Sequence, residues 1–527
     1  MDEFSFEEKK VLEPFFTNLD KNVFVLTNLP EVVKGALFSR YSRSDKSLRR
    51  LLLDEFIFDE KMGFKEIVNC SQKNGADQVV AIQKAEEFYD RVLVGYGDDS
   101  VAELGGAHIA VENVSNICAK VLEDSRLGLS PLEKSTRYVF FDKKTNNGKY
   151  LYHTEEDIAA SKFGESYTQL CDELFDEYAK QIEPTRKFLM ERFPKTNDVT
   201  DRAYKSTIKA KACDILRVFL PAATLSNVGL FGNGRSLEYL LVKMYASDLK
   251  EIRSTAQLMH TELNKVIPSF VRRARGPFGD PTIEFLNSSM HDLQKIAEQD
   301  FGAEKPSENR EVTLVSYDKD ALDKVVAATL YPHTHLPLKQ VQEKVAKLSH
   351  GEKMKIFEQL AAKRQNRRHK PGRGFEHAHF EFDILGNYGI YRDLQRHRVL
   401  TQQKQLLSTF HGYDSPKELK ELGVQETYEK MMKKADRLFR QIHAQMPEQA
   451  QYIVPFGYKI RWAININLRE LYHLIELRST PQGHPDYRRI AIKMLEEAKK
   501  VHPDLVSAMK FVQTKDVELE RLEAEKN

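Results

Sequence analysis

Metal-type cysteine spacing is missing from these 527 residues: Cys70, Cys118, Cys171 and Cys213 are scattered singly through the first half. That argues against a structural zinc site and for buried, reduced thiols in a cytoplasmic protein. No apolar run approaches the length of a bilayer span. The opening Met1-Asp2-Glu3-Phe4 lacks the basic-then-apolar pattern of a secretory signal. A membrane is therefore not an expected partner. Net charge is only +2, which leaves no global drive toward nucleic acid. What is present, 41% hydrophobic and 30% charged residues, suits a globular chain long enough for two domains with ordinary cores.

The densest chemistry lies at Arg396-His397-Arg398. Upstream, Ala378, Phe380, Phe382 and Ile384 alternate with His379, Glu381 and Asp383, the period of a strand with one buried face. Gly386 is expected to break that strand, and a short helix over roughly 389–398 to follow. The Arg-His-Arg run then sits where the chain turns. Two guanidiniums there can grip anionic oxygens bidentately, and the imidazole can stack or hydrogen-bond. A solvated basic turn is the plain alternative. A second basic run, residues 363–374, reads either as a solvated loop or as a binder of RNA or polyphosphate.

Elsewhere the pattern is mostly helical. Residues 1–30 read as an irregular or partly helical arm, and charged helical segments extend to about Asp90. Gly95 to Ser100 is a turn cluster. Ala107, Ile109 and Val111 mark a strand, followed by a helix from Val114 to Leu122. Thr154 is placed to cap a long amphipathic helix. Another helix should run from Ser236 to about Val271. Residues 276–311 read as a linker with one helix, and a new helix should open near Asp320. Ser415-Pro416-Lys417-Glu418 has the form of a capping box before a helix reaching about Met446. Leu220-Pro221 to Asn233 matches Val454-Pro455 to Asn467 without a gap, at a constant spacing of 234 residues (Pro221 to Pro455, Asn233 to Asn467). That points to internal duplication.

Phe375-Glu376-His377, the alternating strand, Arg396-His397-Arg398, Asn467-Leu468-Arg469 and Leu477-Arg478 occur in one order. Together they resemble the flavin-dependent thymidylate synthases. In the first half, Glu133-Lys134-Ser135-Thr136-Arg137-Tyr138, Arg217-Val218-Phe219-Leu220-Pro221 and Asn233-Gly234-Arg235-Ser236-Leu237 resemble further segments of that family. The resemblance implies an α+β chain of two tandem synthase-like repeats, each a small antiparallel sheet packed with long helices. They would span 31–275 and 312–515, with an arm at 1–30, a linker at 276–311 and a charged tail at 516–527. It implies reductive methylation of dUMP, or a related pyrimidine nucleotide, to dTMP. FAD would be the cofactor, with methylenetetrahydrofolate and NADPH as co-substrates, and the chain would form a homodimer mimicking the family's tetramer.

By the same resemblance, Arg478 is the catalytic, ring-activating arginine. Arg396, His397, Arg398, Asn467, Arg469, His473, Glu133, Asn233, Arg235 and Ser100 are the flavin contacts. Asp393, Arg396, Glu133, Ser135, Arg137, Arg217 and Arg478 are the nucleotide contacts. No metal is implied. Three departures stand out: Asp393 replaces the family's Gln, the Glu-x-Ser-x-Arg-Tyr loop is missing after Arg398, and Arg373 and Ser100 replace a flavin-contacting Thr. The second repeat keeps Arg396, His397, Arg398 and Arg478 but has Lys404, Leu406 and Gln451 elsewhere. The first keeps Glu133, Ser135, Arg137 and Arg217 but has Asp124, Ser125 and Met244. The sets are complementary, which implies one active site divided between repeats. A catalytically inactive nucleotide- or flavin-binding paralogue and an RNA-binding protein built around 363–374 are the competing readings.

Overall fold

A computed structural model of the protein describes residues 3–58, 101–125, 127–302, 304, 306, 309–515, 517–519 and 522. Cys70, the turn cluster ending at Ser100 and most of the charged stretch before it lie outside these residues. The first half contains strand β1 (Gly106–Ser115), helix α1 (Asn116–Asp124), β2 (Leu129–Glu133), α2 (Gly164–Arg192), α3 (Asp201–Leu216), β3 (Leu225–Asn233), α4 (Gly234–Tyr245) and α5 (Gly276–Phe301). The second half contains β4 (Val312–Tyr317), α6 (Ala321–Leu330), β5 (His379–Asn387), α7 (Tyr388–Leu394), β6 (Leu400–Lys404), α8 (Gln425–His443), β7 (Lys459–Asn467), α9 (Leu468–Arg478) and α10 (Pro485–Val501). No described helix is long and apolar enough to cross a membrane. Cys118, Cys171 and Cys213 are buried and form no disulfide among the described residues.

Local patterning accounts for most of these elements. Phe380, Phe382 and Ile384 on β5, and Ile460, Trp462, Ile464 and Ile466 on β7, are buried at every second position. In α8, Tyr428, Met431, Met432, Ala435, Leu438, Phe439 and Ile442 form the buried stripe of an amphipathic helix. Asp320 precedes α6, as expected.

The helix expected over 389–398 ends at Leu394, before Arg396-His397-Arg398, and four other expected boundaries shift, each for a local reason. Strand β5 runs through Gly386 to Asn387; the missing side chain makes room for Ile390 and Trp462, and the Asn387 side chain caps α7. The helix from Ser236 to Val271 is broken into α4, Lys250–Leu263 and Pro268–Val271. Between the first two, the Ser247 hydroxyl takes the Leu249 N–H at 3.2 Å, a local bond that competes with helix continuation. Thr154 caps nothing: Glu155 precedes a five-residue helix, and α2 begins only at Gly164. The capping box at Ser415 is absent, because its hydroxyl donates to Gln425 at 2.8 Å. Gly423, at φ 71°, then separates the short helix Lys417–Glu421 from α8. Within the stretch read as a linker, α5 is a 26-residue helix.

The chain divides into two compact units that do not coincide with its two halves. One comprises Met1–Val114, Cys118–Glu133 and Ser226–Glu304. It holds a three-stranded sheet in the order β1-β3-β2. The other comprises Ser115–Ile117, Lys134–Leu225 and Lys305–Asn527, so it takes α2 and α3 from the first half. Its four-stranded sheet has the order β4-β5-β7-β6. Apart from the added β4, the two orders are the same once each strand is replaced by its counterpart. Registers agree too: Leu129 faces Gly232 in one sheet, and Leu400 faces Ile466 in the other.

A second sign of duplication lies inside the larger unit. Pro221 and Pro455 form an antiparallel bridge. Ala222 N–H donates to Val454 O and Phe456 N–H to Leu220 O, both at 2.9 Å. Ala223 N–H donates to Tyr452 O at 2.9 Å and Gly457 N–H to Val218 O at 3.2 Å. Each bond is the other's mate at the 234-residue spacing. Such reciprocity is the mark of a local two-fold axis.

Candidate functional site

Helix α3 ends in a tight turn, Arg217–Phe219, and carries Asp214 three residues before Arg217. One helical turn therefore presents an acid and a base on the same face. Asp214 holds Arg137 bidentately, Nε to Oδ1 and Nη2 to Oδ2, both at 2.8 Å. Arg137 Nη1 also donates to the Tyr487 hydroxyl at 3.2 Å, at the start of α10. Ser135, two residues earlier, accepts the Arg137 backbone N–H at 3.2 Å, which turns the loop. Burial opposes the charge on Arg137, but Asp214 outweighs it and raises the guanidinium well above its usual pKa.

Arg217 is in the opposite situation. It is 2% exposed, and its pKa is lowered, chiefly by burial. Nη1 lies 3.9 Å from Asp393 Oδ2, while Nη2 has no hydrogen-bond partner among the described residues. Leaving a buried charged donor unmatched is costly unless an anion completes it. Gly389 accommodates the side chain: a Cβ there would come within 3.2 Å of Arg217 Nε. Asp393 sits near Arg217 and its carboxyl is held below the ordinary range. Burial alone would raise it, but Arg137, Arg217, Arg478 and Arg396 together prevail.

The third part is built on α9. Asn467 caps it by accepting the Glu470 N–H at 2.9 Å. Glu470, His473 and Arg478 then recur along one side of the helix. Glu470 Oε1 meets His397 Nδ1 at 2.8 Å. Arg478 donates from Nε to His397 Nε2 at 3.0 Å and from Nη2 to the Asp393 carbonyl at 2.6 Å. Arg478 also lies over the Tyr487 ring, 5.5 Å from its centroid, the same distance as Arg137. The His473 ring is 5.5 Å from that of His397, and burial lowers its pKa to about 4. Ser135, Arg137, Arg217, Asp393, His397 and Arg478 thus belong to one cluster, with Arg396 and Arg398 exposed at its edge.

The remaining expected contacts are engaged differently. Arg469 donates to Pro371 O at 2.7 Å and to Glu376 at 3.0 Å, so it straps the basic run to the strand entry. Arg364 is buried against Glu476, with Nη1 to Oε1 at 2.9 Å. Part of the basic run is therefore structural. Beside it, Tyr331, His333, Arg373, Gly374, Glu376 and His377 line a cavity of about 480 Å³. Three residues lie in the smaller-sheet unit. Glu133 is buried with Lys120 at 2.9 Å and Ser226 at 3.4 Å. Asn233 caps α4 through the Ser236 N–H at 2.8 Å, and Arg235 pairs with Glu103 at 2.9 Å. Ser100 lies outside the described residues.

Sequence reasoning missed Asp214, Glu470, His484 and Tyr487. Asp214 could have been found as the acid one turn before Arg217. His484 is buried, accepts the Asp486 N–H at 3.2 Å on Nδ1, and has its pKa lowered by burial and by Arg217. Tyr487 carried no local signal.

A Chlamydia muridarum protein named UPF0159 is 45% identical over 99% of this chain and 98% of its own length. A UPF0159 protein of Thermoplasma acidophilum is 35% identical over 93% of this chain and 97% of its own. The flavin-dependent thymidylate synthase of Sulfurisphaera tokodaii is 32% identical over 25% of this chain and 54% of its own. The Thy1 family model, thymidylate synthase complementing protein, matches twice, at residues 58–269 and 313–504. With two matches, two sheets of the same strand order and a cluster drawn from both halves, the chain belongs to the Thy1 family as a tandem member.

Proposed function

We propose that this protein methylates dUMP, or a related pyrimidine nucleotide, to the thymidylate, using methylenetetrahydrofolate, NADPH and FAD, at one composite site per chain. The observation that carries the reading is the convergence of Arg137 and Arg478, 341 positions apart in the sequence, on the same Tyr487 ring at 5.5 Å each. Each comes from the half that retains its own set of family-like residues.

The nucleotide phosphate suits Arg217, whose buried Nη2 needs an anionic partner. Arg137 and Ser135 border the same place. Arg478 suits the N3–C2 edge of the pyrimidine, where a guanidinium stabilises negative charge as it develops. The donor set fits a flavin as well: Arg396 and Arg398 are exposed cations beside this cluster, the polarity a diphosphate needs. FAD, when bound, supplies the hydride chemistry. At the counterpart positions the site is built out. Met244, matching Arg478, is fully buried. Gln451, matching Arg217, accepts the Leu407 N–H at 3.1 Å and donates to Glu448 O at 3.0 Å. The chain would pair into a dimer equivalent to the family's tetramer.

Purified protein should be yellow, saturate near one dUMP per chain, and rescue a thymidine-requiring strain. Arg137→Ala and Arg396→Ala should each abolish nucleotide binding. Two nucleotides per chain would end the composite-site reading. Flavin and nucleotide binding without rescue or turnover would favour the inactive paralogue, a reading that the replacement of the family's Gln by Asp393 keeps in view. Light scattering that shows only a particle of about the 60.9 kDa chain mass would exclude the dimer.

A further inference from the structure

Arg478 has a long side chain, and a guanidinium aimed at developing charge is effective only if its orientation is set beforehand. The rotamer entropy of that side chain opposes the setting. Two anchors hold it here, the Asp393 carbonyl on Nη2 and His397 on Nε. The second anchor has a direction. Arginine can only donate, so His397 Nε2 must accept, and the ring proton must be on Nδ1. That proton points at Glu470 Oε1, 2.8 Å away. Glu470 and His397 are 8% and 2% exposed at their side chains, so water does not compete strongly for either.

We propose that Glu470 is a positioning residue that acts through His397 on Arg478: it selects the Nδ1–H tautomer, which leaves Nε2 as the acceptor that aims the guanidinium. This rests on the role proposed above for Arg478. His397, Glu470 and His473 place ligand-type atoms within 4.8 Å of one another, as a metal site would. The Arg478 guanidinium donates to the same His397 ring at 3.0 Å, however, and a cation would be opposed by the charge beside it. The cluster is a hydrogen-bonded relay. Its helix supplies both ends, Glu470 and Arg478, so the relay ties the turn after α7 to a rigid element at two levels.

The first measurement needs no turnover. In protein labelled with ¹⁵N-histidine, the His397 signals, assigned by their loss in His397→Gln, should show Nδ1 protonated and Nε2 bare at neutral pH. The opposite tautomer overturns the proposal even if dUMP is methylated. In Glu470→Ala that tautomer preference should weaken, since Arg478 is then its remaining support. kcat should fall by on the order of 10- to 100-fold, the size of effect seen when the partner that orients a metal-bound imidazole is removed, with a smaller change in KM for dUMP. Glu470→Gln, whose amide oxygen can still accept from Nδ1–H, should recover most of both. A Glu470→Ala protein that folds and keeps both tautomer and kcat overturns the relay. Absence of turnover in the unmutated protein would instead overturn the functional reading and leave the tautomer test standing.

Discussion

Helices α4 and α9 begin on equivalent asparagines, Asn233 and Asn467, each capping its helix with its side chain. Near their far ends stand Met244 and Arg478. Met244 is packed completely out of water, whereas Arg478 is held by a histidine and a carbonyl beside a cluster of charges. Arg217 and Gln451 form a similar pair across the local two-fold. Among the described residues the arginine leaves a buried nitrogen unmatched, and the glutamine is hydrogen-bonded on both sides of its amide. The frame has been kept in both copies, while polar capacity survives at only one of each matched pair. Once a duplicated site is no longer used, its charges become unmatched burdens, and apolar or self-satisfied residues replace them at a gain in stability.

Substitution at the matched ends gives the largest expected contrast. Arg478→Ala should reduce kcat by on the order of 10²–10³, the effect of losing one donor aimed at transition-state charge, while most flavin binding remains. Met244→Ala should cost about 2–5 kcal/mol of stability, as for other buried large-to-small changes, with turnover per folded molecule unchanged. Steady-state kinetics and denaturant melts measure the two effects. Equal loss of flavin and activity in Arg478→Ala would show that the two ends differ in another way.

Across the two-fold, Arg217→Ala should weaken dUMP binding by about 10- to 100-fold, since a hydrogen bond to a charged group is worth roughly 1.5–3 kcal/mol. Gln451→Ala should leave that affinity unchanged. Calorimetric titration separates them, and similar losses in both would mean that both sides bind nucleotide.

Acid should act on the charged unit in two stages. His473 is lowered to about 4 and His484 is lowered as well, both first by burial. Below the usual histidine pKa of about 6.5 the unfolded chain takes up protons that the folded chain refuses. Stability is therefore complete above that pH and declines as pH falls toward about 4. The lowered carboxyls Asp393, Asp486 and Glu311 then add a further loss at lower pH, as each is protonated in the folded state. Urea midpoints across this range, compared with those of His473→Phe, test the first stage. A variant curve as steep as the original would remove His473 as its cause and leave His484.

The smallest effect is expected at Gly389. Its alanine variant puts a methyl group against Arg217 and the Asn387 side chain and should cost about 1 kcal/mol of stability through crowding, with a few-fold loss of dUMP affinity. No loss of affinity would mean that Arg217 moves freely in its pocket.

Much of this molecule was determined by the sequence itself. Period-two alternation marked β5, and the 234-residue spacing marked the repeat. These are local properties, decided by side chains a few residues apart competing for one backbone. Their order along the chain was also enough to indicate the family. Boundaries failed where a single side chain intervened, as with the Ser247 hydroxyl, or where Gly386 made room for packing instead of ending a strand. Tertiary structure alone decided the composition of the site. Arg137 meets Tyr487, and Glu470 meets His397, because separate segments bring them together, and neither pair has a spacing that sequence could reveal. The same holds for the grouping of α2 and α3 with the second half. Which arginine is matched and which is left short of a partner depends on what the folded chain has excluded from water, and that is settled only when the chain has closed around it.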